Sequence, residues 1–347
     1  MLASAAGIAQ NAPMPHAQPS LSSPIVIAHR GASGFRPEHT LAGYELAIDQ
    51  GANVIEPDLV PTRDDILVAR HENEISGTTD VADHPEFATR RTTKTIDGQT
   101  GTGWFTEDFT LAELKTLRAK ERLPEVRPAN ATYDGRFEIP TLAEIIALAR
   151  RRHVAIYPET KHPTYFAKIG HPTDLLLVDQ LKVAGWDSPE APVFLQSFEV
   201  ANLKRIHRLT KVRLIQLMAG AGAPADGAQP SYAAMTTPAG LREVATYAWG
   251  IGPDKAQLWD RDDPTRPSAL VADAHAAGLR VHPWTFRAEN MFLPARFRHG
   301  DDPTAHGDVA AEIDAGLRQG IDGFFTDFPV IGVETRDAYV AERTRAR

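Results

Sequence analysis

One alternation constrains this chain more than any other feature. Eight short apolar runs, at residues 25–28, 54–59, 154–157, 193–196, 213–218, 248–252, 279–284 and 323–326, recur along its 347 residues, and each ends in polar or glycine-rich sequence. Helical patterns at 41–50, 141–152, 173–184, 199–209, 238–247, 267–277 and 308–319 separate most of them. Strands that alternate with helices pair in parallel. Eight such units predict an α/β chain closed into a (β/α)8 TIM barrel rather than an open, doubly wound sheet.

Two stretches break the rhythm. After the second strand, Asp64-Asp65 turns the chain into residues 66–71, a hairpin extension of that strand. Residues 72–139 then show no strand–helix period. They hold Gly98, Gly101, Gly103, Trp104 and Phe105 and a helical pattern at 111–119, and we expect an insertion over the barrel mouth. Residues 1–12 are small and apolar and lead through Pro/Gln/Ser-rich sequence to Ser23. That segment is similar to the tail of a signal peptide with a short linker, so we expect a periplasmic or secreted protein with its barrel in 24–347. The absence of cysteine excludes disulfides, thiolate metal sites and a cysteine nucleophile. A net charge of −8 argues against a nucleic-acid surface. No apolar run is long enough for a transmembrane helix.

In a barrel of this kind catalytic groups occupy the carboxyl ends of the strands. Those ends are rich in ionisable residues here: His29-Arg30-Gly31, Glu56 and Asp58, His71 on the hairpin, Glu159 and Lys161, and Asp327. Glu56 and Asp58 are two apart on a strand, so both face the lumen while Ile55, Pro57 and Leu59 face the helices. Buried carboxylates repel one another without a cation. With Glu159 from the next strand they form an oxygen-only set suited to a hard ion, calcium or magnesium. His29 and His71 on adjacent strand ends suit the acid–base division of a phosphodiester cleavage, since imidazole exchanges a proton near neutrality. Arg30 and Lys161 are candidate phosphate contacts, and Gly31 allows close backbone approach. Trp284 and Phe198 are candidates for an apolar wall against a glycerol backbone. Glu38 is open between a structural and a site role, and His39 reads as structural.

The segments His29-Arg30-Gly31-Ala32, Pro37-Glu38-His39-Thr40, Glu56-Pro57-Asp58-Leu59, Leu67-Val68-Ala69-Arg70-His71 and Tyr157-Pro158-Glu159-Thr160-Lys161 together resemble the glycerophosphodiester phosphodiesterase family, and its periplasmic branch most closely. Val281-His282-Pro283-Trp284-Thr285 and Phe325-Thr326-Asp327-Phe328-Pro329 resemble its last two strands. The resemblance implies hydrolysis of glycerophosphodiesters to sn-glycerol 3-phosphate and an alcohol. It assigns Glu56, Asp58 and Glu159 to one divalent cation, calcium before magnesium, His29 and His71 to acid–base work, and Arg30 and Lys161 to phosphate. The chain departs from the pattern at Glu72, where Asp is usual, at Pro57, and at Gly77 in place of Arg. The alternatives at this stage are a phospholipase D-like lyase on the same fold, acting on lysophospholipid or sphingomyelin, and a non-catalytic phosphodiester-binding protein.

Overall fold

The computed structural model describes residues 23–345 except 229, 261 and 262; the leader-like segment, apart from Ser23, lies outside the described residues. Eight parallel strands follow the predicted runs. They are β1 (Ile25–His29), β2 (Val54–Glu56 and, past Pro57, Asp58–Pro61), β3 (Ala155–Ile156 and, past Pro158, Glu159–Thr160), β4 (Phe194–Ser197), β5 (Arg213–Met218), β6 (Gly250–Pro253), β7 (Arg280–Val281) and β8 (Gly323–Thr326). The upper and lower halves of β2 and β3 join two ladders, β8-β1-β2-β3 and β2-β3-β4-β5-β6-β7. The seam closes where Asp322 N donates to Val281 O at 3.0 Å, Phe325 N to Pro283 O at 3.0 Å and Phe286 N to Phe325 O at 2.8 Å.

The two-residue period is visible in what each side chain touches. Ile25, Ile27 and Val54 pack in the lumen with Tyr157, Phe194, Ile215 and Phe325, whereas Val26, Ile55, Leu59, Ile156 and Leu195 join the larger core beneath the helices. Continuing that alternation puts Glu56 and Asp58 on the lumen side, as the spacing predicts. The helices start where the sequence supplies caps. Thr40 accepts from Gly43 N before Leu41–Asp49, and Thr141 with Glu144 forms a reciprocal capping box before Leu142–Arg152.

Several elements differ from the sequence pattern. The helix expected over 111–119 is one turn, Leu111–Leu114. The helix expected from Pro267 starts at Leu270, because Asp263–Pro267 pairs with Trp259–Asp260 in a small hairpin. Only Arg280–Val281 of the seventh run is regular strand. Within the insertion, Thr92–Ile96 and Gln99–Gly103 form an antiparallel hairpin. Its turn residues, Asp97 and Gly98, both have positive φ, 49° and 80°. Asp-Gly between alternating side chains is a strong signal for a two-residue turn of this kind. The insertion has its own apolar cluster, with Ile75, Phe87, Trp104, Phe109 and Leu117 packed on Val60 and Val68.

Strand register then assembles one level of the barrel. His29 lies opposite Glu56, Asp58 opposite Glu159, and Glu159 opposite Gln196. Just beyond, the chain turns sharply at Gly31, whose φ is +90°; a Cβ there would stand 2.7 Å from the Gly43 carbonyl carbon. Glycine is therefore required for the first loop to pack on its helix.

Candidate active site

Glu56, Asp58 and Glu159 bring one carboxylate oxygen each within 4.8 Å of one another, all three side chains buried. Glu56 is fixed by the Arg30 backbone N–H at 2.8 Å and by Gln196 Nε2 at 2.9 Å. Asp58 Oδ2 is held by His39 Nε2 at 3.0 Å, with Arg30 Nε 3.3 Å away. Lys161 Nζ lies 3.0 Å from Glu159 Oε1. Burial and the neighbouring Asp58 push the Glu56 carboxyl well above its ordinary range. Burial also raises Glu159, to about 8, with Lys161 opposing and Asp58 adding. Asp58 goes the other way: against the pull of burial, Arg30 and the His39 hydrogen bond hold it well below the usual range. A cluster in which burial and mutual repulsion raise two of three carboxyls favours added positive charge. Among the described residues the buried Gln196 Oε1 beside it has no hydrogen-bond partner. Oxygen donors alone, a deficit of charge and an orphan acceptor fit a hard divalent cation.

The two candidate imidazoles flank this cluster and are oriented alike. His29 Nδ1 is 2.6 Å from Asp327 Oδ1 and His71 Nδ1 is 3.0 Å from Glu72 Oε1, so each ring turns Nε2 away from its carboxylate partner. Such a carboxylate fixes tautomer and ring angle together. Burial, then the charge of Arg30, lowers His29 to about 4. Burial, Arg30 and Lys161 lower His71 to about 3. The His71 side chain is 30% exposed, and water at that opening moderates the effect. Both rings thus sit within the field of one guanidinium, and both are neutral near pH 7. Lys161 Nζ reaches His71 Nε2 at 3.4 Å. Trp284 donates its indole N–H to Gly252 O at 2.8 Å and stacks edge-on with Phe198, ring centres 5.7 Å apart, to form the apolar side of the opening.

Several participants carry no signal in the strand rhythm. Arg127, from the insertion, donates to Glu289 Oε1 and Asp327 Oδ2, both at 2.6 Å. Arg287 Nε reaches the same Asp327 oxygen at 2.9 Å. Arg122, also from the insertion, shares Glu38 with Arg30 at 2.8 and 2.9 Å, which gives Glu38 a place in the site. His39, expected to be structural, bridges Asp58 and the Tyr44 hydroxyl, 2.9 Å from its Nδ1, and so positions a member of the acidic triad. Arg127→Ala leaves Asp327 with one guanidinium and takes from the buried Glu289 the ion pair that Arg127 supplies. It is expected to cost about 3–5 kcal/mol of stability, to be read from denaturant midpoints.

A second chain of contacts runs outward from His71. Glu72 Oε2 meets His162 Nε2 at 2.8 Å, and His162 Nδ1 meets Asp97 Oδ2 at 2.6 Å. Burial disfavours the His162 cation, but Asp97 and Glu72 prevail and raise it to about 9. A raised histidine stabilises the fold fully below its unfolded value of about 6.5 and loses that contribution as pH rises through the folded value. Stability is therefore expected to fall between about pH 6.5 and 9, and His162→Gln to flatten that decline in denaturant titrations run across the range.

With this geometry in view, likeness to known proteins is informative. Residues 29–331 match the glycerophosphoryl diester phosphodiesterase family. A glycerophosphodiester phosphodiesterase of Arabidopsis thaliana is 37% identical over 324 residues, covering 88% of this chain and 84% of the relative. One from Haemophilus influenzae is 31% identical over 347 residues, covering 90% of each. Among solved structures, an Oleispira antarctica phosphodiesterase in complex with the product sn-glycerol-3-phosphate matches 91% of this chain and 98% of its own with a TM-score of 0.61, at 23% identity. The fold and the family match converge with the residues at the strand ends, and this chain belongs to the glycerophosphoryl diester phosphodiesterase family of enzymes.

Proposed function

We propose that this enzyme hydrolyses glycerophosphodiesters to sn-glycerol 3-phosphate and an alcohol, with His29 and His71 as the acid–base pair and Glu56, Asp58 and Glu159 holding one divalent cation. The observation that carries the reading is the convergence of three buried carboxylates and two carboxylate-tethered imidazoles around one arginine. Calcium is the favoured ion on the resemblance to exported family members, and magnesium is the alternative; the all-oxygen donor set suits either. When bound, the cation supplies charge neutralisation at the phosphoryl oxygens.

The chain's own residues do the rest. Arg30 and Lys161 bind the phosphate oxygens in this reading, which sets their charge where negative charge develops. An anionic substrate between them offsets Arg30, which depresses both imidazoles, and Lys161, which depresses His71, so both become better proton carriers once the site is filled. His29, with Nδ1–H given to Asp327, offers Nε2 as base to the attacking oxygen, whether water or the glycerol 2-hydroxyl. His71, protonated once the bound anion has raised it, donates its Nε2 proton to the leaving alcohol. Trp284 covers the glycerol carbons. Release of sn-glycerol 3-phosphate from a panel of diesters, measured in calcium or magnesium after chelation, tests the reading. No release from any diester with either ion sinks it.

A further inference from the structure

On the Lys161 side of the site lies a cavity of ≈ 200 Å³ whose wall includes Glu159 and Lys161 themselves and runs on to His162, Phe198, Glu199 and Tyr232. It opens from the residues that would meet the phosphate, so it is the space available to one arm of a bound diester. His71, the group assigned to the leaving alcohol, is linked to the same wall through Lys161 and through Glu72 and His162. The alcohol arm is the one that belongs there.

The charges on this wall do not cancel. Lys161 is matched by Glu159 at 3.0 Å, and His162 by Asp97, another lining residue, at 2.6 Å. Glu199 is left over. It is only 2% exposed, and its carboxylate accepts hydrogen bonds from the Thr164 backbone N–H and hydroxyl, yet among the described residues no Lys, Arg or His lies within ion-pair distance of it. Burial pushes its carboxyl up to about 7, with Asp97 and Asp226 adding repulsion. Two aromatic rings complete the pocket: Phe198, over which Lys161 Nζ lies 5.8 Å from the ring centre, and Tyr232, in edge contact with it at 6.2 Å between ring centres. A buried anion with no cation, next to aromatic rings, is what a compact ammonium group needs.

We propose that this cavity is a head-group subsite for a cationic aminoalcohol, with Glu199 as the counter-charge and Phe198 and Tyr232 as the aromatic wall. The inference rests on the site reading given under Proposed function and adds the class of diester preferred. It sets substrates of the ethanolamine or choline type above those whose alcohol is uncharged.

The test compares kcat/KM for glycerophosphoethanolamine and glycerophosphocholine with that for glycerophosphoglycerol, in wild type, Glu199→Gln and Glu199→Lys. A ratio of two such constants does not depend on the fraction of enzyme folded, so a partly unfolded variant still reports. The wild type is expected to favour the two cationic diesters. Glu199→Gln is expected to lower the cationic-to-neutral ratio by about tenfold, mostly through KM, as for loss of a hydrogen bond or contact to a charged group. Glu199→Lys is expected to lower it further. A wild type with no cationic preference, or a ratio unmoved by both substitutions, overturns the subsite while leaving the hydrolytic site intact. Failure to hydrolyse any of the three diesters overturns both.

Discussion

Alanine at His29 or at His71 is expected to lower kcat on glycerophosphocholine by about 10²–10⁴, with a far smaller change in KM. The expectation depends on these rings doing chemistry rather than holding the fold together. Asp327 keeps Arg127 and Arg287 when His29 is removed, and Glu72 keeps His162 when His71 is removed, so neither carboxylate is stranded. Steady-state kinetics beside a thermal melt separates the two effects. Wild-type turnover in both variants, with melts unchanged, would mean that the acid–base pair has been misassigned.

Removal of divalent cations is expected to abolish activity, and calcium or magnesium to restore it. The structural reason is the deficit of positive charge at Glu56, Asp58 and Glu159: burial and repulsion raise Glu56 and Glu159 out of the ordinary carboxylate range. An ion that binds only the folded chain also stabilises it, by about 2.7 kcal/mol at a hundred times its Kd. The melting temperature should therefore rise with added calcium in the wild type and stay flat in Glu56→Gln, which loses a charged donor without losing volume. Full activity in the presence of excess chelator, or an equal calcium response in Glu56→Gln, counts against the ion site.

Much of this site was legible in the sequence because a barrel converts linear spacing into direction. Glu56 and Asp58, two residues apart between apolar neighbours, had to share a face, and Glu159 had to follow on the next strand. The parts that were not legible come from segments without a period. Arg122 and Arg127 sit in the insertion, where nothing local indicates that they reach Glu38 and Asp327. His39 gave no sign of meeting Asp58, because its placement follows from the turn at Gly31 and from Tyr44 beneath it. The Asp97-Gly98 turn is a different case. Its residue pair predicts a hairpin, and the alternating threonines on either side support one, but the surrounding irregular sequence obscured it. The seventh strand is short although His282 N and Trp284 N still bond to Ile251 O and Pro253 O, because Pro253 on the neighbouring strand has no N–H to return to it.

The tether between His29 and Asp327 joins residues 298 apart in sequence, and Arg127 reaches the same aspartate across 200. A ribosome therefore releases almost the whole polypeptide before the first imidazole acquires its orienting carboxylate. Nascent chains and truncations that stop short of the eighth strand lack the carboxylate that orients His29, and are expected to lose turnover. In a refolding experiment, recovered turnover should lag the return of helical signal and coincide with docking of the last strand, which makes catalysis itself the readout for ring closure.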